Sequence, residues 1–194
     1  MSRLILIKHA SPEFVTSRPA DEWHLSAAGR ARCQRLAERL RPFAPDVIVT
    51  SDEPKARETG EIVAQILRLP AHTQPGLHEH RRRTVPWYDD YDVLKRLILT
   101  LFDKPDMVVH GEETANAAYD RFGAAVDEVI AQYPEQTVAI STHGTVMSLF
   151  AQHRAGVDPK PLWESLQLPS FIIFHLPSFA IESVVPDVVG EPHS

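Results

Sequence analysis

Two histidines, two lysines and a serine stand at the ends of three short apolar runs. Leu4-Ile5-Leu6-Ile7 ends at Lys8-His9, and Thr137-Val138-Ala139-Ile140-Ser141 ends at Thr142-His143. Asp46-Val47-Ile48-Val49-Thr50 ends at Ser51, with Lys55 shortly after it. An imidazole offers a lone pair or a proton near neutral pH, and a lysine supplies a compact positive charge. If the three runs lie side by side, two imidazoles and two cations meet at one mouth. Such a mouth could hold an anion and exchange protons or electron pairs with it.

The elements that must position these groups follow from periodicity. Short continuous apolar runs are the pattern of strands covered on both faces. Helical spacing predicts a helix over 26–41, with Ser26 as N-cap, a stripe of Cys33, Leu36, Ala37 and Leu40, and Pro42 and Pro45 as stops. A second helix opens at Ser51, Asp52 and Pro54, carries Thr59, Ile62, Val63, Ile66 and Leu67 on one side, and closes at Pro70. Further helices are predicted over 89–102, 112–133 and 144–155, and an edge hairpin over 171–176 and 179–185. The tail, 186–194, is expected to fray. Alternating strands and helices imply a three-layer α/β/α domain with a largely parallel sheet and helices on both faces. One domain, 1–194, with a small inserted arm at about 77–110, accounts for the length. Ligands of such folds sit beyond the carboxyl ends of the strands, where the named residues fall.

Composition excludes several classes. The 194 residues are 43% hydrophobic and 24% charged, so a disordered chain is excluded. A net charge of −6 gives no electrostatic reason to expect nucleic acid or an anionic membrane as partner. The apolar run at the amino terminus is far shorter than the roughly 7–15 residues of a secretory signal, and no stretch approaches the ~20 of a membrane span. One cysteine, Cys33, fits a reducing compartment. The expectation is a soluble, cytoplasmic protein whose oligomeric state the sequence leaves open.

Several ordered blocks resemble the histidine phosphatase superfamily, the phosphoglycerate-mutase-like proteins. Leu4 through Ala10 stands where that family has a strand ending in Arg-His-Gly. Leu25-Ser26-Ala27-Ala28-Gly29 is similar to its Leu-Thr/Ser-x-x-Gly helix start, and Ser51 through Thr59 to its Ser-x-x-x-Arg-Ala-x-x-Thr block. Leu77-His78-Glu79 resembles the Leu-x-Glu of its acid, Gly111-Glu112-Glu113 its Gly-Glu-Ser block, and Ile140 through Gly144 the block of its second histidine. The chain departs from the family at both pocket arginines, which are Lys8 and Lys55, and at Ala10.

The resemblance implies a phosphomonoester hydrolase in which His9 attacks the phosphoryl group, forming a phosphohistidine that water then hydrolyses. It implies Glu79 as general acid and His143 as a catalytic partner. Lys8, Lys55 and His143 would hold the phosphoryl oxygens, helped by backbone N–H groups where the helix after His143 begins. No metal or other cofactor is called for, because the cations carry the electrostatic load. The expected ligand is a small phosphorylated substrate or phosphate. Lysine cannot impose the bidentate geometry of arginine, so slow chemistry is expected. A non-catalytic phosphate-binding relative and, third, a phosphomutase stand beside the hydrolase.

Each assignment has a rival. His9 could be a structural strand-end histidine, and Arg57 could replace Lys55, although residues two apart on a helix lie about 200° apart around it, so only one of them can face the mouth. Glu112 and Glu113 compete with Glu79. His78-Glu79-His80, with His72 and His110, has a loose metal-ligand look but no zinc spacing, and reads as a solvated loop. Arg81-Arg82-Arg83 could bind an anionic substrate tail or nucleic acid, but with Asp89, Asp90 and Asp92 close behind reads rather as a salt-linked face. Trp87, Tyr88 and Tyr91 could line a pocket or simply pack the arm. Cys33, on an inward stripe, reads as an inert buried thiol.

Overall fold

The computed structural model describes residues 2–189. Six strands form one sheet: β1 (Arg3–Lys8), β2 (Val47–Thr50), β3 (Ala71–Thr73), β4 (Val138–Thr142), β5 (Ser170–His175) and β6 (Ile181–Val185). Their order is β3-β2-β4-β1-β5-β6. The first four run parallel, and β5 and β6 add an antiparallel edge hairpin, as the sequence implies. Helices α1 (Ala27–Leu40) and α2 (Pro54–Leu67) cover one face. Helices α3 (Tyr91–Asp103), α4 (Ala115–Gln132), α5 (Gly144–Ala155) and α6 (Pro159–Ser165) cover the other.

The continuous apolar runs have a direct cause. Successive strand side chains point to opposite faces, and here both faces are covered. Leu4 and Leu6 join the core with Phe122 and Phe150, while Ile5 and Ile7 join that with Leu36 and Val63. All four β1 side chains are fully buried, each worth roughly 1.5–3 kcal/mol of apolar transfer.

Order in the sheet decides the site. The chain runs β1 to β2 to β3, then returns to insert β4 between β1 and β2. In register, Lys8 stands beside Thr142, and Thr50 beside Ser141. The residues that follow, His9, His143 and Ser51, therefore leave the sheet side by side.

Several predicted elements shift. The stripe of α1 and its Ser26 N-cap match, with the Ser26 hydroxyl accepting from Gly29 N–H at 3.0 Å. The buried face of α2 is instead Lys55, Ala56, Thr59, Gly60, Val63 and Ala64, and Ile62, Ile66 and Leu67 are only half-buried. Polar residues serving the site occupy the inward face, so counting apolar ones mis-centres it. Helix α4 starts at Ala115, with Thr114 as cap, because Glu112 and Glu113 fold back onto the Arg81–Thr84 backbone. Strand β3 and helix α6 were not predicted: β3 is wholly exposed, and α6 is seven residues long, too short to show a period. The expected fraying does not extend to 186–189, since Val188 is fully buried and Pro186 C=O accepts from Gln167 N–H; 190–194 lie outside the described residues. Cys33 is buried, and burial pushes its thiol up to about 11. Among the described residues no helix is long and apolar enough to cross a membrane.

Candidate active site

The turn after β1 is held from three sides. His9 N–H donates to Thr142 C=O at 3.0 Å, extending the parallel ladder one residue past the strand. Ala10 N–H donates to Thr59 Oγ1 at 3.0 Å, and that hydroxyl donates in turn to Lys55 C=O at 2.7 Å. Ser11 C=O accepts from both the N–H and the hydroxyl of Ser26. A Cβ on Gly29 would lie 2.1 Å from the Ser11 oxygen, so the start of α1 can approach only as glycine. These contacts explain why the Leu-Ser-x-x-Gly and Lys-Ala-x-x-Thr blocks accompany the first histidine.

Both histidines come together, their ring centroids 5.2 Å apart at 63°. His9 Nδ1 lies 2.8 Å from Ala10 C=O. A carbonyl only accepts, so Nδ1 carries the proton and Nε2 keeps its lone pair. Burial, then the neighbouring His143 and the Lys55 charge, hold His9 well below the usual histidine pKa and therefore neutral. Burial and Lys55 do the same for His143. His143 Nε2 lies 3.1 Å from Ser51 Oγ, whereas its Nδ1 is buried with no hydrogen-bond partner among the described residues, as is the Thr145 hydroxyl. Buried polar atoms normally have partners, and a bound oxyanion could supply one.

The two lysines are not equivalent. Lys8 runs past Gly144, where a Cβ would lie 3.0 Å from its Cε, and its Nζ donates to Leu166 C=O at 2.7 Å. Burial lowers it to about 8, although Glu79 opposes the shift. Lys55 is also buried, and its Nζ donates to Ala20 C=O and pairs with the buried Glu53 carboxylate. Glu53 Oε1 accepts from Glu79 N–H at 2.9 Å and lies 3.7 Å from His143 Nε2. Burial works to raise the Glu53 pKa, but Lys55 outweighs it and keeps the group ionised. Sequence reading missed Glu53; its only signal is a carboxylate two residues before an inward lysine. Arg57 lies on the outer side of α2, near Glu61, and does not compete with Lys55.

Glu79 corrects one expectation. Its carboxylate accepts from the N–H groups of His80, Thr145 and Val146 at 2.9–3.2 Å. The amides at the start of α5, expected to hold a phosphoryl group, are thus taken by Glu79. Burial favours the neutral acid, but the Arg82 charge, the neighbouring His143 ring and these amides prevail, and the pKa falls below the usual carboxylate range. Neither rival takes its place: Glu113 pairs with Arg121, and Glu112 binds Thr84 and the Arg83 N–H.

The loop readings also change. Arg83 pairs with Asp21 and Glu22 rather than with the 89–92 acids, and Arg81 contacts His78. Arg82 makes no ion pair or side-chain hydrogen bond among the described residues and faces the site. His80 and His110 are buried and stacked, not solvated, with His80 Nε2 2.8 Å from Glu113 C=O. Among the described residues no three metal-binding side chains converge. Lys8, His9, Lys55, Glu79 and Arg82 line a cavity of about 310 Å³, with Trp87, Tyr88 and Tyr91 on its wall rather than packed away. A second cavity, about 790 Å³, shares Lys55, Glu79 and Arg82 but neither Lys8 nor His9.

Residues 4–176 match the family model of the histidine phosphatase superfamily (branch 1). The chain is 25% identical over 165 residues to the uncharacterized phosphatase PhoE of Bacillus subtilis (strain 168), spanning 82% of this chain and 81% of that one. It shares its fold with the phosphoserine phosphatase of Entamoeba histolytica solved with 3-phosphoglyceric acid (TM-score 0.77, 15% identity, 96% and 98% of the two chains). The same is true of a mycobacterial glucosyl-3-phosphoglycerate phosphatase solved with inorganic phosphate (TM-score 0.75, 18% identity, 98% and 100%). At such identities the structural likeness concerns the fold alone. The match over 4–176, on a sheet that brings both histidines to one mouth, makes this chain a member of the histidine phosphatase superfamily, branch 1.

Proposed function

We propose that the protein hydrolyses phosphomonoesters through a phosphohistidine on His9. The carrying observation is the His9 imidazole itself: neutral, its Nδ1 proton committed to Ala10 C=O, its ring lining a cavity beside Lys8, Lys55 and Arg82. The Nε2 lone pair forms the P–N bond as the ester P–O bond breaks. The three cations carry the charge of the equatorial oxygens, and His143 Nδ1 and the Thr145 hydroxyl gain partners there. Glu79 gives its proton to the leaving alkoxide. The incoming phosphoryl charge raises the proton affinity of this carboxylate and so loads it. In the second step the carboxylate takes a proton from the water that attacks phosphorus, and His9 is restored. The single buried cysteine supports a cytoplasmic setting.

A second reading, a phosphate-binding relative without turnover, is favoured by one observation: Glu53 already neutralises Lys55. Brief incubation with a ³²P-labelled aryl phosphate, followed by alkaline quench, separates the two. Acid-labile, base-stable label on His9, absent from His9→Ala, is expected. Bound phosphate with no adduct and no released alcohol leaves the binding reading alone.

A further inference from the structure

The two cavities differ in a way that bears on the substrate. A phosphoryl group attacked by His9 and held by Lys8 lies in the smaller cavity, because the larger one reaches neither residue. The larger cavity is lined by ionisable groups of both signs that the smaller one lacks, among them Asp21, Glu22, Asp52 and Arg83. The smaller one is walled chiefly by rings and aliphatic groups.

Three of those rings pack against one another on its wall. Phe14, Trp23 and Trp87 have centroids 5.3–5.7 Å apart at steep mutual angles. Trp23 is buried, yet Phe14 remains 58% and Trp87 40% exposed, so the cluster presents open aromatic surface. Large rings left open beside a charged mouth mark a ligand surface rather than a core. Their polar handles are already committed: Trp23 Nε1 donates to Val15 C=O and Trp87 Nε1 to Asp89. A polyhydroxylated alcohol would therefore find no hydrogen-bond partner on these three rings. A planar ring would meet faces and edges in the tilted geometry aromatic pairs favour. The volume, about 310 Å³, suits a phosphoryl group with one or two rings.

We propose that the substrate is the phosphomonoester of a small aromatic alcohol, its ring seated against the exposed surfaces of Phe14 and Trp87 while its phosphoryl group lies against His9 and Lys8. This rests on the hydrolase reading for turnover, but its binding half can be measured without turnover. Calorimetric titration with benzylphosphonate, propylphosphonate and 3,4-dihydroxybutylphosphonate compares three hydrolysis-resistant analogues with the same head group. Benzylphosphonate should bind at least tenfold tighter than either of the others. That ratio should shrink to within about twofold in Trp87→Ala and in Phe14→Ala, two exposed positions that give independent tests should one variant fold poorly. With 2-phenylethyl and propyl phosphates, whose alkoxides are similarly basic, kcat/KM should favour the phenyl ester by the same order. A parent ratio within twofold, or a ratio that survives both substitutions, overturns the proposal. Selective binding without any adduct on His9 defeats the hydrolase reading and leaves the aromatic site standing.

Discussion

The Glu53 carboxylate is clamped against the Lys55 ammonium, both buried, with its second oxygen accepting the Glu79 N–H. The pair sets how much positive charge the site offers an anion. Removing one partner of a buried pair costs about 3 kcal/mol or more by stranding the other. Glu53→Gln keeps an acceptor for the Glu79 amide but frees the Lys55 charge. The variant should melt several degrees lower than the parent and bind inorganic phosphate severalfold tighter. Phosphate at about 100 times Kd returns about 2.7 kcal/mol to any binder, so at one fixed phosphate concentration the variant should regain more of its Tm than the parent. Equal phosphate affinity in the two proteins would show that Lys55 does not face the ligand.

Lys8 supplies a pH limb. Burial has lowered it to about 8, so its charge is present below that pH and lost above it. Phosphate is mostly dianionic at pH 8 and only becomes more so up to pH 9.5, so weakening there reports the protein and not the ligand. Binding should weaken by up to about tenfold per pH unit above 8. Lys8→Arg, charged throughout, should remove this limb, and Lys8→Met should bind weakly at every pH. A parent curve as flat as that of Lys8→Arg contradicts the assignment.

Arg82 should stand apart from its neighbours. It has no ionic partner among the described residues and borders both cavities, whereas Arg83 is paired at the surface. Replacing Arg82 by Ala should raise KM for a phosphoester at least tenfold. Arg83→Ala, which breaks exposed pairs worth at most about 1 kcal/mol each, should change KM less than twofold. Arg82→Lys should recover only part of the loss, because the ammonium lacks the planar fork.

Glu79 is tied to the first turn of α5 as a carboxylate, yet the reaction asks it for a proton. Glu79→Gln removes the proton relay, normally worth roughly 10²–10⁴-fold. The loss should be largest for alkyl phosphates, whose alkoxides need protonation, and much smaller for nitrophenyl phosphate. Equal losses on both substrates would assign Glu79 to holding α5 in place rather than to proton transfer.

Local sequence determined the parts that depend on short-range physics. The four apolar residues before Lys8-His9 have the pattern of a strand covered on both sides. Ser26 followed three residues later by Gly29 marks the start of α1, and both histidines are placed at strand ends before any contact is known. Tertiary structure decided what depends on chain path. Insertion of β4 between β1 and β2 places His143 beside His9, although 134 positions separate them in sequence. The loop after β3 carries Glu79 onto the N-terminus of α5 and turns Arg82, rather than Arg81 or Arg83, toward the mouth. Glu53 reads as an ordinary polar residue until Ser51, Lys55 and His143 surround it. A charge that is costly to bury is tolerated only where partners from separate elements converge, and no local pattern of residues records that convergence.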